Sequence, residues 1–263
     1  MKKILLLFTI SFFSFQFSAN ATLTGKQIVK KAKEQSSFQD EYKLIRMILM
    51  NRNGQKRKRE VAFYSKTQND LLKSLIRFLE PKNISGTSLL TIENQGRDDD
   101  QWIFFPQVGE RRITSNRQSD RFLGTDLTYE DIKPEKLSLH HYDLIGEEIV
   151  DGKNCYKVAA LPSTEEQKEL SGYSKRIIWI EKERYLIIKV DFFGKNGLQV
   201  KTSFNHKFGK TESGHWISCL TTVKDLERNH KTALQTVEFK TNQKLNDSLF
   251  TKRHLGKSLS LTK

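Results

Sequence analysis

The chain has 263 residues, which is enough for one all-β domain or two small domains. Its formal net charge of +14 would favour nucleic acid as a partner in a cytosolic protein. The N-terminal segment argues for export instead, so the expected acidic partners are lipid head groups and other anionic envelope polymers. Beyond that segment, no apolar run is long enough to span a bilayer.

The first residues have the pattern of a secretory signal. Two lysines precede an apolar run over residues 4–17, and residues 19–21 form an Ala-x-Ala cleavage motif. A membrane anchor is the alternative, but the run is too short to span and ends in small residues. We predict a cleaved signal peptide at residues 1–21 and a single domain over residues 22–263.

The mature chain begins with one predicted helix and continues as strands. Thr24 can cap a helix whose apolar residues Ile28, Val29 and Ala32 have helical spacing. From Glu41 onward the apolar period is two, although residues 71–79 would also fit a helix. Gly, Asn and Asp turns separate the alternating segments, which predicts about eleven strands in a regular antiparallel meander.

The number of strands determines the expected fold class. A sheet this large curls, because strand twist accumulates across it. We therefore predict a mainly β protein with a single curled antiparallel sheet, a barrel or half-barrel. The helical segments Thr24–Ser36 and Asp126–Ile132 are the available covers for its concave face.

A long connection after the aromatic strand at residues 101–105 is the least ordinary part of the sequence. Long loops in compact domains are usually lids, binding loops or disordered segments. We interpret this connection as a lid over an apolar cavity. The lid and gate residues are Phe122, Leu123, Gly124, Asp126, Tyr129 and Asp131, with Gly124 as the hinge. Ion pairs from Arg111, Arg112, Arg117 and Arg121 to the lid carboxylates are expected to hold the closed form.

The sequence contains no recognisable catalytic constellation. None of the six histidines forms the paired helical spacing of a metalloprotease, and neither cysteine has a metal-ligand spacing. Nucleophile-elbow, phosphate-loop and dinucleotide motifs are missing. We expect a protein that is not an enzyme and holds no cofactor or metal. Cys155 and Cys219 are expected to be unpaired, since a disulfide between them would require the sheet to close.

Burial of acyl chains suits these residues better than catalysis does. An apolar ligand needs a concave apolar wall, a cover and a few polar groups. The predicted wall residues are Phe63, Phe78, Trp102, Phe104, Ile178 and Ile188. The same side chains would also suit an ordinary β core, so periodicity alone leaves both interpretations open.

Three segments, in this order, resemble a known family. They are Arg77–Pro81 followed by Gly86-Thr87, Trp102–Pro106 followed by Arg111-Arg112-Ile113, and Phe122–Asp131. Together they resemble the LolA-like family of outer-membrane lipoprotein-sorting proteins, with Leu123 where that family often has Met and Thr125 where it often has Ser.

The resemblance implies an eleven-stranded, LolA/LppX-like half-barrel that carries lipoprotein or lipid acyl chains through the periplasm between envelope membranes. It also implies a partner, an inner-membrane exporter of the RND/MMPL type, and transient contact with a membrane. A different interpretation is a docking protein that carries nothing. Such a protein would contact an exporter or anionic envelope polymers through its basic hairpin, residues 56–59.

Overall fold

A capped helix begins the described part of the chain. The computed structural model describes residues 23–134, 136–211 and 214–257, and the predicted signal peptide lies outside them. Helix α1 (Gly25–Gln35) begins at Thr24, whose hydroxyl accepts from the Gln27 backbone N–H, while the Gln27 side chain accepts from the Thr24 N–H. This capping box satisfies two backbone donors that the first turn would leave free.

One antiparallel sheet contains all the named strands of the described residues. The strands are β1 (Asp40–Met50), β2 (Lys56–Gln68), β3 (Leu71–Glu80), β4 (Ser88–Ile92), β5 (Asp100–Phe105), β6 (Gly109–Ile113), β7 (His140–Val150), β8 (Lys153–Pro162), β9 (Lys175–Glu181), β10 (Ile187–Phe193), β11 (Gln199–Lys210), β12 (Trp216–Asp225) and β13 (His230–Thr241). Two short helices, α2 (Tyr129–Ile132) and α3 (Glu165–Leu170), lie in the connections. The predicted mainly β class is confirmed.

The strand count differs from the prediction, because the sheet has thirteen strands rather than about eleven. Strand β6 was expected to be the start of the long loop. Its exposed charged side chains, Glu110, Arg111 and Arg112, give no alternation of apolar and polar residues. It pairs with β5 through backbone hydrogen bonds at the edge of the sheet, which the side-chain pattern does not report.

The order of the strands places the sheet edges in the middle of the chain. The order is β6-β5-β4-β3-β2-β1-β13-β12-β11-β10-β9-β8-β7, so β1 pairs with β13 and the two edges are β6 and β7. Residues 114–139 connect these edges. The connection must therefore cross one face of the sheet, and it is the segment that contains the predicted lid.

The two faces are covered by different segments. We call the face that contacts α1 and residues 121–131 the inner face, and we call residues 121–131 the lid. On the inner face, α1 packs over β7–β9 and the lid packs over β1–β6. The outer face of β2–β5 is covered by the C-terminal 3-10 segments Asp247–Phe250 and Lys252–His254. Among the described residues, no helix is both long and apolar enough to cross a membrane.

Candidate functional site

The lid is a tight, hydrogen-bonded loop. Arg121 and Thr128 form an isolated antiparallel bridge, and the Phe122 N–H donates to the Leu127 carbonyl at 2.8 Å. Leu123 and Gly124 at its tip both have positive φ, 48° and 75°. Glycine adopts this conformation at little cost, whereas leucine rarely does. The predicted hinge therefore lies at the one place where the lid backbone is conformationally unusual.

Phe122 fills an apolar site on the inner face. Its side chain is 1% exposed, and its ring centroid lies 5.7 Å from that of Phe78 and 5.7 Å from that of Tyr129. The cluster around it draws on each of the first six strands. Its sheet members are Met47, Leu49, Val61, Phe78, Leu89, Ile103 and Ile113. The lid thus inserts an aromatic side chain into the wall that it covers.

The lid carboxylates pair with distant strands. Asp126 is buried, contacts His230 Nδ1 at 2.8 Å and accepts from the Thr232 hydroxyl at 2.6 Å. Asp131 forms an ion pair with Lys201 and accepts from the Tyr173 hydroxyl. Burial, reinforced by the Asp131 charge, raises the pKa of Tyr173 well above its usual value. The lid is consequently fixed to β11 and β13 and to the connection before β9.

The four arginines expected to pair with these carboxylates have other positions. Arg121 pairs with Asp225 of β12 at 2.7 Å, and Arg117 pairs with Asp120 at 2.9 Å. Arg112 pairs with Asp100, and Arg111 lies exposed on β6. The predicted pairing scheme is wrong, because β6 holds Arg111 and Arg112 in a strand at the sheet edge. Of these four arginines, Arg121 is the one that joins the lid to the sheet, through Asp225.

The predicted wall residues divide between the two faces. Phe63, Phe78 and Ile178 lie on the inner face, where Phe78 contacts Phe122 and Ile178 packs near α1. Trp102 and Phe104 lie on the outer face against the C-terminal segment, since Ile103 between them faces the lid. Ile188 is fully buried in a third cluster with Cys155, Ile177 and Trp179. The structure therefore brings three of the six to the lid side.

Four residues of this arrangement were not singled out from the sequence. His230, Thr232, Lys201 and Tyr173 hold the lid, and each lies far along the chain from its partner. The sequence did contain a weak signal. His230, Thr232 and Leu234 are each two residues apart on β13, so the two polar residues share the inner face with Leu234. A polar pair on the apolar face of a strand indicates a buried partner, but it does not identify that partner.

Two cavities remain open on the inner face beneath the C-terminal half of α1. One of about 460 Å³ lies between the helix, Leu72 and Leu137, and one of about 310 Å³ lies between the helix, Ile45 and Leu234. These volumes fall near the lower end of small-molecule sites. Lys43 lines the smaller cavity and pairs with Glu41 at 2.8 Å, with its ammonium 5.3 Å from the Phe63 ring centroid.

A second cation of the inner face lies beside the lid site. The Arg59 guanidinium is 5.6 Å from the Phe78 ring centroid, and burial, with a smaller effect from Arg57, lowers its pKa. Its Nη1 is buried without a hydrogen-bond partner among the described residues. The inner face therefore combines an apolar wall with these two cationic groups.

Both cysteines, Cys155 and Cys219, are free, in agreement with the expectation from the sequence.

Solved structures with this fold are similar over most of the chain. An outer-membrane lipoprotein-sorting protein domain from Vibrio parahaemolyticus has a TM-score of 0.83 and 24% identity, covering 89% of this chain and 98% of that one. A DUF1329 family protein from Desulfovibrio piger has a TM-score of 0.82 and 27% identity, covering 88% and 97%. A LolA superfamily protein from Nitrosomonas europaea has a TM-score of 0.70 and 22% identity, covering 89% and 100%.

These likenesses show that the chain has the fold of the LolA superfamily, so the resemblance stated from its sequence is confirmed for the fold. A protein-family model described as an uncharacterized protein matches residues 70–257. That match exceeds half of the chain, so the chain belongs to this family. Comparison with curated proteins gives no match.

Proposed function

We propose that this protein is a periplasmic carrier that holds the acyl chains of lipoproteins or lipids against its inner face. The observation that carries the proposal is Phe122, an aromatic side chain of the lid that occupies an apolar site on the inner face. The name of one structural relative, an outer-membrane lipoprotein-sorting protein domain, supports the same class of cargo. An inner-membrane exporter of the RND/MMPL type is the partner that we propose for cargo exchange.

The energetics of burial explain why a carrier needs such a lid. Burying acyl chains contributes ~0.8 kcal/mol per CH₂ group, so two chains of ~16 carbons would exceed the usual limit of non-covalent affinity. A carrier with that affinity would not release its cargo. If cargo must first displace Phe122 and Leu123 from the wall, the lost lid contacts offset part of the gain and binding becomes reversible.

The cationic groups of the inner face suit the polar end of such a cargo. A ligand site needs a few polar groups to fix orientation, and a buried donor without a partner favours an acceptor brought by the ligand or by water. Arg59 Nη1 is such a donor and lies beside the Phe122 site. Lys43 supplies a second cation at the smaller cavity. Both suit phosphate, carboxylate or ester oxygens.

Organic extraction of the purified protein, followed by mass spectrometry, tests the proposal. Wild-type protein is expected to yield bound acyl lipid in stoichiometric amount, and Phe63→Glu is expected to yield much less, since it places a charge on the inner wall. Trp102→Glu is the matched control, because Trp102 faces the C-terminal segment on the outer face. Absence of lipid from the wild type, or equal lipid in both variants, would reject the inner face as a lipid site.

A further inference from the structure

Three turns lie together at the end of the sheet nearest the lid. They connect β1 to β2 (residues 51–55), β10 to β11 (residues 194–198) and β12 to β13 (residues 226–229). Met50 is paired with Lys56 on one side and with Lys231 on the other, which places the first turn beside the third. The Leu226 N–H donates to the Val200 carbonyl at 2.9 Å, which places the second beside the third. We call these turns and their flanking residues, 51–58, 194–198 and 224–229, the rim.

The exposed charges of the rim are almost all positive. The exposed basic side chains are Arg52, Lys56, Arg57, Lys58, Lys195, Lys224 and Arg228. Glu227 is exposed among them, whereas Asp225 is buried and already contacts Arg121 and Arg228. Basic clusters of this size are attracted to anionic lipid surfaces, and each Lys or Arg near the surface adds to the attraction.

Two leucines are exposed among these basic side chains. Leu198 is 66% exposed and Leu226 is 37% exposed, on adjacent turns. Single exposed apolar residues are common and need no explanation. Two on adjacent turns within a cationic surface have the composition of a peripheral membrane contact, in which apolar side chains enter the head-group region while basic ones remain at the phosphates.

The rim also borders the lid. A polar cleft of about 380 Å³ separates them, lined by Arg121 from the lid and by Lys195, Asn196, Asp225 and Glu227 from the rim. A surface that the rim contacts is therefore also next to the segment that covers the inner face.

We propose that the rim docks on an anionic phospholipid bilayer, with Leu198 and Leu226 inserted among the head groups. The partner follows from charge complementarity together with the two exposed leucines. This inference goes beyond the proposed function, because a carrier could exchange cargo with proteins alone and a membrane-docking protein need carry nothing.

Sedimentation with lipid vesicles tests the docking. The purified protein is expected to bind vesicles of phosphatidylcholine mixed with phosphatidylglycerol, and to bind pure phosphatidylcholine vesicles much more weakly. Added salt is expected to weaken the binding, because it screens exposed charges. Arg52→Glu/Lys56→Glu is expected to lower the affinity by about tenfold. The matched control is Lys207→Glu/Lys244→Glu. It makes the same charge change far from the rim, since Lys207 lies near the end of β11 and Lys244 lies shortly after the end of β13.

A second pair of variants tests the leucines. Leu198→Ser is expected to weaken vesicle binding by a few-fold, whereas Ile149→Ser is expected to leave it unchanged. Ile149 is 70% exposed and lies near the turn between β7 and β8, at the other end of the sheet. Equal binding to both vesicle types, or equal effects of the rim and control variants, would overturn the proposal. Vesicle binding needs no extracted lipid, so its failure and the failure of the carrier proposal remain distinguishable.

Discussion

At the scale of single residues, Tyr64 shows how burial on the outer face makes stability depend on pH. Its side chain is 3% exposed, and burial, with a smaller effect from neighbouring Tyr42, raises the pKa of Tyr64 to about 12. The unfolded chain, with a tyrosine pKa of about 10, releases this proton first as the pH rises. The stability linked to Tyr64 is therefore fully present below about pH 10 and is lost between about pH 10 and 12.

Comparison of the wild type with Tyr64→Phe measures this effect. Between about pH 9 and 11 the free energy of unfolding in urea should fall more steeply for the wild type, by about 1 kcal/mol, since the phenylalanine cannot ionise. The lysines titrate alike in both proteins and therefore cancel in the difference. Parallel pH profiles for the two proteins would show that Tyr64 ionises equally in the folded and unfolded states.

Single residues also show where prediction from the sequence stops. The run Trp102-Ile103-Phe104-Phe105 predicts a strand, and the strand is present as part of β5. Alternation predicts that Trp102 and Phe104 share a face, but both faces of this strand are apolar and both are covered. The choice between inner and outer face depends on which segment crosses which side, and β5 itself contains no information about that.

At the scale of elements, the lid depends on contacts between distant segments. Asp126 lies in the lid and His230 begins β13, yet both side chains are almost completely buried and in contact. The Thr232 hydroxyl completes the arrangement. A surface pair such as Arg117 with Asp120 contributes ~0.2–1 kcal/mol, whereas loss of a partner within a buried network costs more because groups are left unsatisfied.

Asp126→Ala is therefore expected to loosen the lid. It leaves the Thr232 hydroxyl and His230 without their acceptor, at a cost of about 2 kcal/mol. Amide hydrogen exchange over residues 121–131 should become faster while exchange in the β-strands remains slow. Arg117→Ala, which removes an exposed pair in the same connection, is the control and should change exchange little. Unchanged protection of the lid in Asp126→Ala would mean that the remaining contacts of Phe122, Asp131 and Arg121 are enough to keep it closed.

The lid was expected from the sequence, but its attachments were not. Local composition predicts an aromatic side chain at Phe122 and a hinge at Gly124, and the hinge stays a prediction. Nearby arginines made a local ion-pair scheme plausible, since charges close in sequence are often close in space. The structure instead pairs the lid carboxylates with His230 and Lys201, because the crossing between sheet edges brings the lid over β11 and β13.

At the scale of the whole molecule, local signals account for most of the architecture. The Thr24 cap, the Asn53-Gly54 and Asp151-Gly152 turns and the period of two predict the helix, the hairpins and the antiparallel class, all of which are present. Pairing of β1 with β13 is different, because it joins the first and the last strand in chain order. That pairing moves the sheet edges to β6 and β7 and forces residues 114–139 across the inner face.

The closed crossing can be fixed by a disulfide, which tests whether the whole molecule must open to exchange cargo. A Cβ atom placed on Gly172 would lie 3.1 Å from the Cβ of Ser119, and Gly172 does not have a positive φ. Disulfides join Cβ atoms ~3.5–4.5 Å apart, so Ser119→Cys/Gly172→Cys can form one after a small shift. The variant is best made with Cys219→Ala, because Cys219 is free and only half-buried.

The oxidised double variant is expected to take up and release lipid much more slowly, since the disulfide ties the crossing to the connection before β9 and restrains the start of the lid. Reduction should restore lipid exchange to the level of the Ser119→Cys control, measured by extraction after incubation with lipid. Equal exchange in the oxidised and reduced forms would mean that cargo enters without movement of the crossing. The cavities beneath α1, rather than the Phe122 site, would then be the place to look for it.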